Sequence, residues 1–517
     1  MGGSDTPAYR VGVVVTLVVV SFGLAVPSIW LFASHMQIGA LTADWPWLYR
    51  TGQAIWAHGL PRYDLWSWTH PRQPWVLYQW LFEALSAPLY TTLGRSASVM
   101  AVGLLGIAMY VLVPAWYQRR RGVHPLWSCT IGALVLLPVS TNLGLRPMLA
   151  SNLALLAQFL VVQKLRSREL PFPWAIAAIA LIYAFWANTH LGFTLGLLSL
   201  LLFAIGDLAH RLSGHRQTSN GPFTQYLGLM AVALLATGVN PYGWTLYAYI
   251  TELSLKSQMN AHIHELMPPD PSNPYMIVGA VMLGVFVWLL VRYRRIVDIA
   301  EASHVVAFSI MALGSMRFVV WAGLFYVLAT PVLFQHAGLE LTPASIRRAL
   351  SRLNSAGAQR ACLLAFAAVA VAITTVGAPS TAGSARLARC AALRPALTYF
   401  DRHYPPDTRW FSSETAGSCA RAYIPGRRVF IDTRFDMYPE PFVMRWFHAY
   451  QYRRGWRELF QRWRIETVLL PQGAPLIPVL NAAPDYRLRY RDRDALIYDR
   501  RPTSTRATGR PRPQSAD

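Results

Sequence analysis

Apolar residues occur along the chain in long blocks that contain no acidic or basic side chain. Such blocks include Val11–Phe32, Ala97–Trp116, Trp174–Ala187, Met276–Leu290 and Ala361–Val376. An apolar helix of roughly 17–25 residues spans the hydrocarbon core of a bilayer. A single block is compatible with a buried core helix, whereas a long succession of them predicts an α-helical polytopic membrane protein.

About eleven transmembrane helices fit this pattern. The first block is too long for the apolar core of an ordinary signal peptide, and no small-residue cleavage site follows it before Asp44. We therefore interpret it as a retained first helix. The predicted spans are 11–33, 97–117, 125–140, 147–163, 173–188, 191–206, 223–239, 274–291, 303–316, 318–336 and 361–378.

Composition and charge support a membrane location and fix a predicted orientation. The chain is 54% hydrophobic and 14% charged, which is not a soluble composition. Its net charge of +22 would suit nucleic acid, but much of the Arg and Lys lies in short loops that the positive-inside rule places in the cytoplasm. We predict membrane lipids and no nucleic acid as partners, in a bacterial inner membrane protein with a cytoplasmic N-terminus. The inner-loop cations include Arg119–Arg121, Lys164, Arg166, Arg168, Arg292, Arg294, Arg295, Arg347 and Arg348.

The chain divides into three predicted regions. Residues 1–378 form the transmembrane domain with a first outer loop over 34–96, in which Trp75–Tyr90 resembles a helix along the membrane interface. Residues 379–500 form a small α/β extracytoplasmic (periplasmic) C-terminal domain, and 501–517 a disordered tail. Within the C-terminal domain the pattern predicts strands at Arg428–Phe430, Thr467–Leu470 and Ala495–Tyr498, and helices at Phe442–Tyr452 and Trp456–Arg464.

The cysteines fall into two pairs. Cys129 and Cys362 lie within predicted spans, where packing is the expected role. Cys390 and Cys419 both belong to the outer domain, where an oxidising compartment permits a disulfide that would stabilise the domain by ~3–4 kcal/mol. The sequence leaves two unpaired thiols open as the alternative.

Polar residues from six separate segments are predicted to meet the outer face of the membrane. Charges at this depth are costly unless they face a cavity or a partner. Each residue also has a structural interpretation: Asp44 as the N-cap of a helix that starts at Trp45, the asparagines as turn residues, the arginines as snorkelling side chains. The His262-Ile263-His264 spacing could bind a metal, but no second ligand pair accompanies it and a solvated loop is the favoured interpretation. The six segments are marked by Asp44, Arg146, Asn188 with His190, Asn240, His262 with His264 and Glu265, and Arg317.

A resemblance to the GT-C glycosyltransferases follows from this layout. In that group, which includes protein O-mannosyltransferases, aminoarabinose transferases and oligosaccharyltransferases, the first span is followed at once by a large outer loop that carries an acidic residue. Asp44 matches that position. Several short motifs also resemble a group of bacterial membrane proteins usually placed with these enzymes: Thr51-Gly52-Gln53, Pro61-Arg62-Tyr63-Asp64, Trp75–Leu81, Arg146-Pro147, Trp186–His190 and Val429–Arg434.

The resemblance implies transfer of a sugar from a polyprenyl-phosphate donor, a lipid-linked sugar, to an acceptor. Asp44 would be the base, His190 its hydrogen-bonding or proton-shuttling partner, and Arg146 and Arg317 the groups that bind the donor phosphate. Many GT-C enzymes have paired acidic residues in the first loop, whereas Trp45 follows Asp44, so Asp64 or Glu83 is the candidate second carboxylate. Participation of a divalent metal is left open. The alternatives are a polysaccharide polymerase or ligase, and a non-catalytic assembly factor with partners in envelope biogenesis.

Overall fold

A computed structural model describes residues 7–212, 223–341, 355–376 and 389–501. The predicted tail beyond 501, the predicted domain junction near 378 and the inner-loop residues Arg347 and Arg348 lie outside these ranges. The chain forms two compact units. The first contains residues 1–62 and 75–388, and the second contains 63–74 and 389–517. A short segment of the first outer loop therefore belongs to the same unit as the C-terminal domain.

The described residues of the first unit are mainly helical. A π-helical turn at Ala108–Leu112 and two 3₁₀ turns at His264–Leu266 and Met316–Phe318 lie between its α-helices. The α-helices are Pro7–Gly39, Trp45–His58, Trp80–Ile107, Val113–Arg120, Pro125–Ser140, Met148–Arg166, Phe172–Ala187, Phe193–Leu212, Phe223–Thr237, Thr245–Leu255, Ser257–Asn260, Pro274–Arg292, Ile299–Gly314, Val319–Ala329, Pro331–Leu341 and Ala356–Val376.

Helices occupy every segment predicted to span the membrane. Among the described residues, six are long and apolar enough to cross a bilayer, and a seventh crossing results if the bent pair Met316–Ala329 and Pro331–Gly338 is one span. Four shorter apolar helices, of 10–17 residues, cover the remaining predicted segments. Large apolar side chains such as Leu181, Val281 and Ile310 are more than half exposed, which suits helices that contact lipid. A multi-pass helical architecture is thus confirmed, while the number of eleven crossings stays a prediction.

The helix that follows the first outer loop breaks at a glycine. Trp80–Ile107 is continuous except at Gly94, whose φ of 73° lies in the left-handed region that other residues rarely adopt. The break separates the piece that begins at Trp80, predicted as an interfacial helix, from the second predicted span at 97–117. The two predicted pieces are therefore separate helical segments, and Gly94 permits the change of direction between them, while the interfacial location of the first piece stays a prediction.

The second unit is built on a four-stranded sheet. Strands β1 (Trp410–Ser412), β2 (Thr467–Pro471), β3 (Tyr486–Arg491) and β4 (Ala495–Arg500) lie in the order β1-β2-β4-β3. β1 and β2 are parallel, and the other pairs are antiparallel. The surrounding helices are Arg389–His403, Glu414–Tyr423, Glu440–Tyr450, Trp456–Trp463 and Ile477–Ala482.

Most of the helices and strands predicted for this unit are present, and the prediction of one strand is wrong. The strands at Thr467 and Ala495 and the helices near Phe442 and Trp456 are confirmed. Arg428–Phe430 is not a strand of the sheet, because Val429 makes only an isolated bridge with Ser67. Its backbone N–H donates to Trp66 O at 2.9 Å, and its carbonyl accepts from Trp68 N at 3.0 Å. The apolar run is buried by a segment distant in sequence, which a strand prediction cannot foresee.

Cys390 and Cys419 form a disulfide, with their Cα atoms 5.1 Å apart. The bond joins helix Arg389–His403 to helix Glu414–Tyr423. This resolves the alternative that the sequence left open. Cys129 is a buried free thiol and Cys362 a partly buried one, as expected for packing residues in apolar helices.

Candidate active site

Five charged or titratable residues of the first unit come from five separate segments, each at a helix boundary. Asp44 precedes helix Trp45–His58, Arg146 precedes helix Met148–Arg166, and His190 lies in the turn before helix Phe193–Leu212. Glu265 and Arg317 lie in the two 3₁₀ turns. These positions are local consequences of the pattern, because polar residues end the apolar blocks. Their convergence is a property of the tertiary structure.

Glu265 bridges the two arginines. Its Oε2 lies 2.8 Å from Nη2 of Arg146, and its Oε1 accepts a hydrogen bond from Nη2 of Arg317. Asp44 approaches the same group, with its Oδ2 at 3.8 Å from Nη2 of Arg146. The two guanidinium groups and two carboxylates make a charge-balanced cluster, which we call the outer-loop cluster (Asp44, Arg146, Glu265 and Arg317).

The ionisation of Glu265 follows from its partners. Burial by itself would raise the pKa of Glu265, but Arg146 and Arg317 outweigh that effect and lower its pKa to about 2. Burial opposes the charge of Arg146 as well, yet Glu265 and Asp44 hold the pKa of Arg146 above its usual value. Glu265 is therefore a carboxylate at neutral pH, and it forms one ion pair with each arginine.

His190 is a neutral neighbour of this cluster. Burial, followed by the positive charges of Arg317 and Arg146, lowers the pKa of His190 to about 3. The backbone N–H of Gly192 donates to Nδ1 at 3.1 Å, so Nδ1 is an acceptor and the ring proton sits on Nε2. Ser151 Oγ lies 2.7 Å from Nδ1 and accepts from Trp186 Nε1 at 2.6 Å. The predicted partner role is thus open to His190 as a neutral donor at Nε2.

The turn that carries His190 requires a glycine two residues later. A Cβ atom on Gly192 would lie 2.3 Å from Ser151 Oγ and 2.8 Å from His190 Nδ1, closer than real Cβ contacts. The glycine therefore permits the hydrogen-bonded chain that fixes the imidazole. This gives a physical reason for the His190-Leu191-Gly192 sequence.

Asp44 stands at the N-cap position but does not cap the helix with its side chain. Helix Trp45–His58 begins at the residue that the N-cap interpretation of Asp44 predicts, yet the Asp44 side chain forms no capping hydrogen bond. Only the backbone carbonyl of Asp44 takes part, accepting from Leu48 N at 3.1 Å. The carboxylate is instead directed toward Arg146, which removes the capping interpretation.

The two candidate second carboxylates have other partners. Asp64 belongs to the second unit, where its Oδ1 lies 2.9 Å from Nη1 of Arg434 and both side chains are fully buried. Glu83 is buried in helix Trp80–Ile107 and accepts a hydrogen bond from Nε2 of Gln79 at 2.9 Å. The carboxylate that the structure does bring to Asp44 and the arginines is Glu265.

Asn188 and Asn240 serve backbone geometry, as their structural interpretation predicts. Asn188 Nδ2 donates to Ala184 O at 2.7 Å and to Val239 O at 2.6 Å, and Asn240 Nδ2 donates to Thr237 O at 2.6 Å. His262 Nδ1 lies 2.7 Å from Gln258 O. Across the part of the chain that the structure describes, no group of three or more His, Cys, Asp or Glu side chains is arranged to hold a metal ion.

The sequence pattern grouped Glu265 with the other residues predicted at the outer face but indicated no role for it. The two histidines beside it drew attention to metal binding instead. The signal in the sequence was a charge imbalance: two arginines that end apolar blocks, with one aspartate among the candidate residues, favour a further anion beside them. Which outer-loop carboxylate supplies it depends on how the turn at His264–Leu266 packs beside Met316–Phe318, since Met316 N donates to Met267 O at 2.8 Å.

Comparisons with known proteins find no matching family model and no matching curated relative. Among solved structures, the chain is similar to the Archaeoglobus fulgidus oligosaccharyltransferase tethered with an acceptor peptide, at 13% identity and a TM-score of 0.48, covering 90% of this chain and 69% of that chain. The structure of the same enzyme in complex with an inhibitory peptide and a dolichol-phosphate is similar at 14% identity and a TM-score of 0.48. That match covers 90% of this chain and 69% of that chain. ArnT from Cupriavidus metallidurans bound to undecaprenyl phosphate is similar at 12% identity and a TM-score of 0.49. That match covers 94% of this chain and 98% of that chain. These neighbours are GT-C glycosyltransferases, the group that the sequence motifs resemble.

Proposed function

We propose that this protein is a membrane glycosyltransferase that moves a sugar from a polyprenyl-phosphate donor to an acceptor at the outer face of the inner membrane. The observation that carries the proposal is the convergence of Asp44, Arg146 and Arg317, with His190 beside them, from segments separated by up to about 270 residues. Structural ion pairs explain a pair of opposite charges. They do not explain why an additional aspartate and a neutral histidine meet two arginines at the ends of apolar helices.

The arginines suit the donor phosphate. Guanidinium groups present N–H donors in a planar arrangement that matches two phosphate oxygens. The side chain of Arg146 is 16% exposed and that of Arg317 34% exposed, so both have limited contact with water. Hydrogen bonds to charge that develops on a leaving phosphate are stronger in such surroundings than in bulk water.

Asp44 is assigned the general base. In the proposed step, the acceptor hydroxyl oxygen forms a bond to the anomeric carbon of the sugar and gives its proton to the Asp44 carboxylate. The bond between the anomeric carbon and the phosphate oxygen breaks, and the polyprenyl phosphate leaves with the electron pair, held by Arg146 and Arg317. His190 donates a hydrogen bond from Nε2 and stays neutral.

The experiment compares envelope glycans of a deletion strain with those of strains that express variants. The deletion is expected to lose one glycan modification that the wild-type gene restores. Asp44→Asn should insert normally but lower the rate of its appearance by ~10²–10⁴, the usual worth of general base catalysis. Arg146→Lys and Arg317→Lys should raise the concentration of the lipid-linked sugar that is needed for transfer. Lysine keeps the positive charge but loses the planar pair of N–H groups that bind the phosphate.

The matched control is Asp270→Asn, an exposed carboxylate on the loop of Glu265, which should behave as wild type. A fully active Asp44→Asn protein at normal abundance would remove Asp44 as the base, and Glu83→Gln and Asp64→Asn would then be tested in its place. An unchanged glycan profile in the deletion strain would favour the non-catalytic assembly factor. Accumulation of unpolymerised or unligated polysaccharide in that strain would favour the polymerase or ligase.

A further inference from the structure

Glu265 occupies the position between the arginines that a phosphate would need. Each of its two carboxylate oxygens pairs with a different guanidinium group, Oε2 with Arg146 at 2.8 Å and Oε1 with Arg317. Two oxygens of one phosphate make the same two-sided contact. The carboxylate and a donor phosphate therefore compete for the same N–H groups.

Charge balance makes this competition strong. The outer-loop cluster holds two guanidinium groups and two carboxylates, so its formal charge is zero. A phosphate that entered without displacing an anion would add one or two uncompensated negative charges to a partly buried site, which is unfavourable. Departure of Glu265 restores the balance for a singly charged phosphodiester and offers both arginines to it.

The position of Glu265 allows that departure. It lies in a three-residue 3₁₀ turn within the irregular connection between Asn260 and Pro274, and its side chain is 20% exposed. The backbone of the turn is held independently of the carboxylate, since Ser315 Oγ donates to Glu265 O at 3.2 Å and Met316 N donates to Met267 O at 2.8 Å. The side chain can thus rotate toward solvent while the turn stays in place.

We propose that Glu265 is an internal competitor of the donor phosphate, which keeps Arg146 and Arg317 together in the empty site and is displaced from them when the donor binds. This inference rests on the proposed function and adds a regulatory element to the same site. The competitor sets a threshold for binding: a ligand must bring its own negative charge to take its place. Neutral lipids and uncharged sugars have no means of displacing it.

The first test measures binding of undecaprenyl phosphate to the purified full-length protein in detergent micelles. Glu265→Gln keeps the size of the side chain and removes its charge, so the variant should bind undecaprenyl phosphate on the order of tenfold more tightly than wild type, equivalent to ~1.4 kcal/mol. The uncharged lipid undecaprenol should gain nothing. Asp270→Asn, on the same loop, is the matched control and should leave the affinity unchanged.

A purely structural role of Glu265 predicts the opposite result. If Glu265 only holds the arginines in place, Glu265→Gln should bind the lipid phosphate more weakly or equally, and either outcome overturns the inference. Binding in the wild-type protein that Arg146→Lys and Arg317→Lys both leave unchanged would also overturn it. Absence of any undecaprenyl phosphate binding to the wild-type protein would instead count against the proposed function, so the two failures are distinguishable.

A second test uses the wild-type protein and does not depend on the folding of a variant. Carbodiimide-driven carboxyl labelling, followed by peptide mass spectrometry, reports how accessible each carboxylate is. Labelling of Glu265 should increase severalfold when undecaprenyl phosphate is added, because the carboxylate leaves its two ion pairs. Asp270 serves as the internal control and should label equally with and without the lipid. Unchanged or decreased labelling of Glu265 at saturating lipid would overturn the inference.

Discussion

Arg434 is fully buried in the second unit between two carboxylates. Its Nη1 lies 2.9 Å from Asp64 and its Nη2 lies 2.7 Å from Asp432, and none of these side chains is exposed. Asp64 also accepts from the backbone N–H groups of Trp66 at 3.1 Å and Ser67 at 2.8 Å. Asp64 and Asp44 thus lie on the same predicted loop in different surroundings: Asp64 is bound within a protein core, whereas Asp44 lies beside Arg146 in a partly exposed cluster.

Removal of Arg434 tests the contribution of this network to stability. Arg434→Met should lower the free energy of unfolding of the second unit by ~3–5 kcal/mol, because it leaves two buried carboxylates without their cation. Protease resistance of the purified protein as a function of temperature would measure the loss. Arg462→Met, at an exposed position, is the control. Equal stability of the two variants would contradict a structural role for the pair.

The same network gives a pH dependence with a definite sign. Burial tends to raise the pKa of Asp64, but Arg434 and hydrogen bonds from Ser67 and Trp66 lower it overall. A lowered carboxyl pKa contributes stability at pH values above about 3.9, the usual pKa of aspartate, and that stability is lost as the pH falls through the lowered value. The difference between wild type and Arg434→Met should therefore shrink below about pH 4.

At the scale of elements, the disulfide joins two helices of the second core. Helix Arg389–His403 contributes Leu393, Leu397 and Phe400 to that core, and helix Glu414–Tyr423 contributes Ala416 and Ala420. The bond closes a loop with a sequence separation of 29 residues, which restricts the unfolded chain. The disulfide thereby holds helix Arg389–His403 to helix Glu414–Tyr423.

Thiol labelling of the unreduced, denatured protein tests the bond directly. Cys129 and Cys362 should label, whereas Cys390 and Cys419 should label only after reduction. The double variant Cys390→Ala with Cys419→Ala should unfold with a free energy lower by ~3–4 kcal/mol, the value for a loop of this length. Labelling of all four cysteines before reduction would exclude the disulfide in the natural protein.

At the scale of the first unit, charged groups are concentrated at both ends of the helices. Arg146 precedes helix Met148–Arg166, and Arg166, which ends it, pairs with Asp207 at 2.7 Å and Asp298 at 2.9 Å. A helix of 19 residues measures roughly 28 Å at 1.5 Å per residue, close to the hydrocarbon thickness of a bilayer. The charged group around Arg146 and the charged group around Arg166 are therefore separated by about one membrane thickness. This separation supports the prediction that they lie at opposite faces of the membrane.

Reporter fusions test this orientation. Fusions after Arg121, Arg168 and Arg295 should give a cytoplasmic signal, because short loops rich in Arg and Lys stay inside. Fusions after Asp64 and Arg434 should give an outer signal. Matched pairs of reporters, one active only inside and one active only outside, provide the control at each site. A cytoplasmic signal at Arg434 would contradict an odd number of crossings and the outer location of the C-terminal domain.

The sequence by itself determined the apolar helices of the first unit and singled out three members of the outer-loop cluster. Apolar blocks of membrane length form helices because a backbone in hydrocarbon must satisfy its hydrogen bonds internally. That constraint is local, so the pattern is sufficient. Asp44, Arg146 and Arg317 stand out for the same reason, as charges at the ends of blocks that otherwise exclude them.

Only the tertiary structure decided which charges pair. Glu265 joins Arg146 and Arg317, whereas Asp64, an equally plausible carboxylate in sequence, binds Arg434, about 370 residues away along the chain. β1 and β3 were not predicted, and the run at Val429 was mistaken for a strand of the sheet. β1 pairs with β2 and Val429 with Ser67, so a segment distant in sequence determines both of these outcomes. Ion pairs and strand pairing join residues of any separation, and their free energy depends on burial and geometry that no local pattern records.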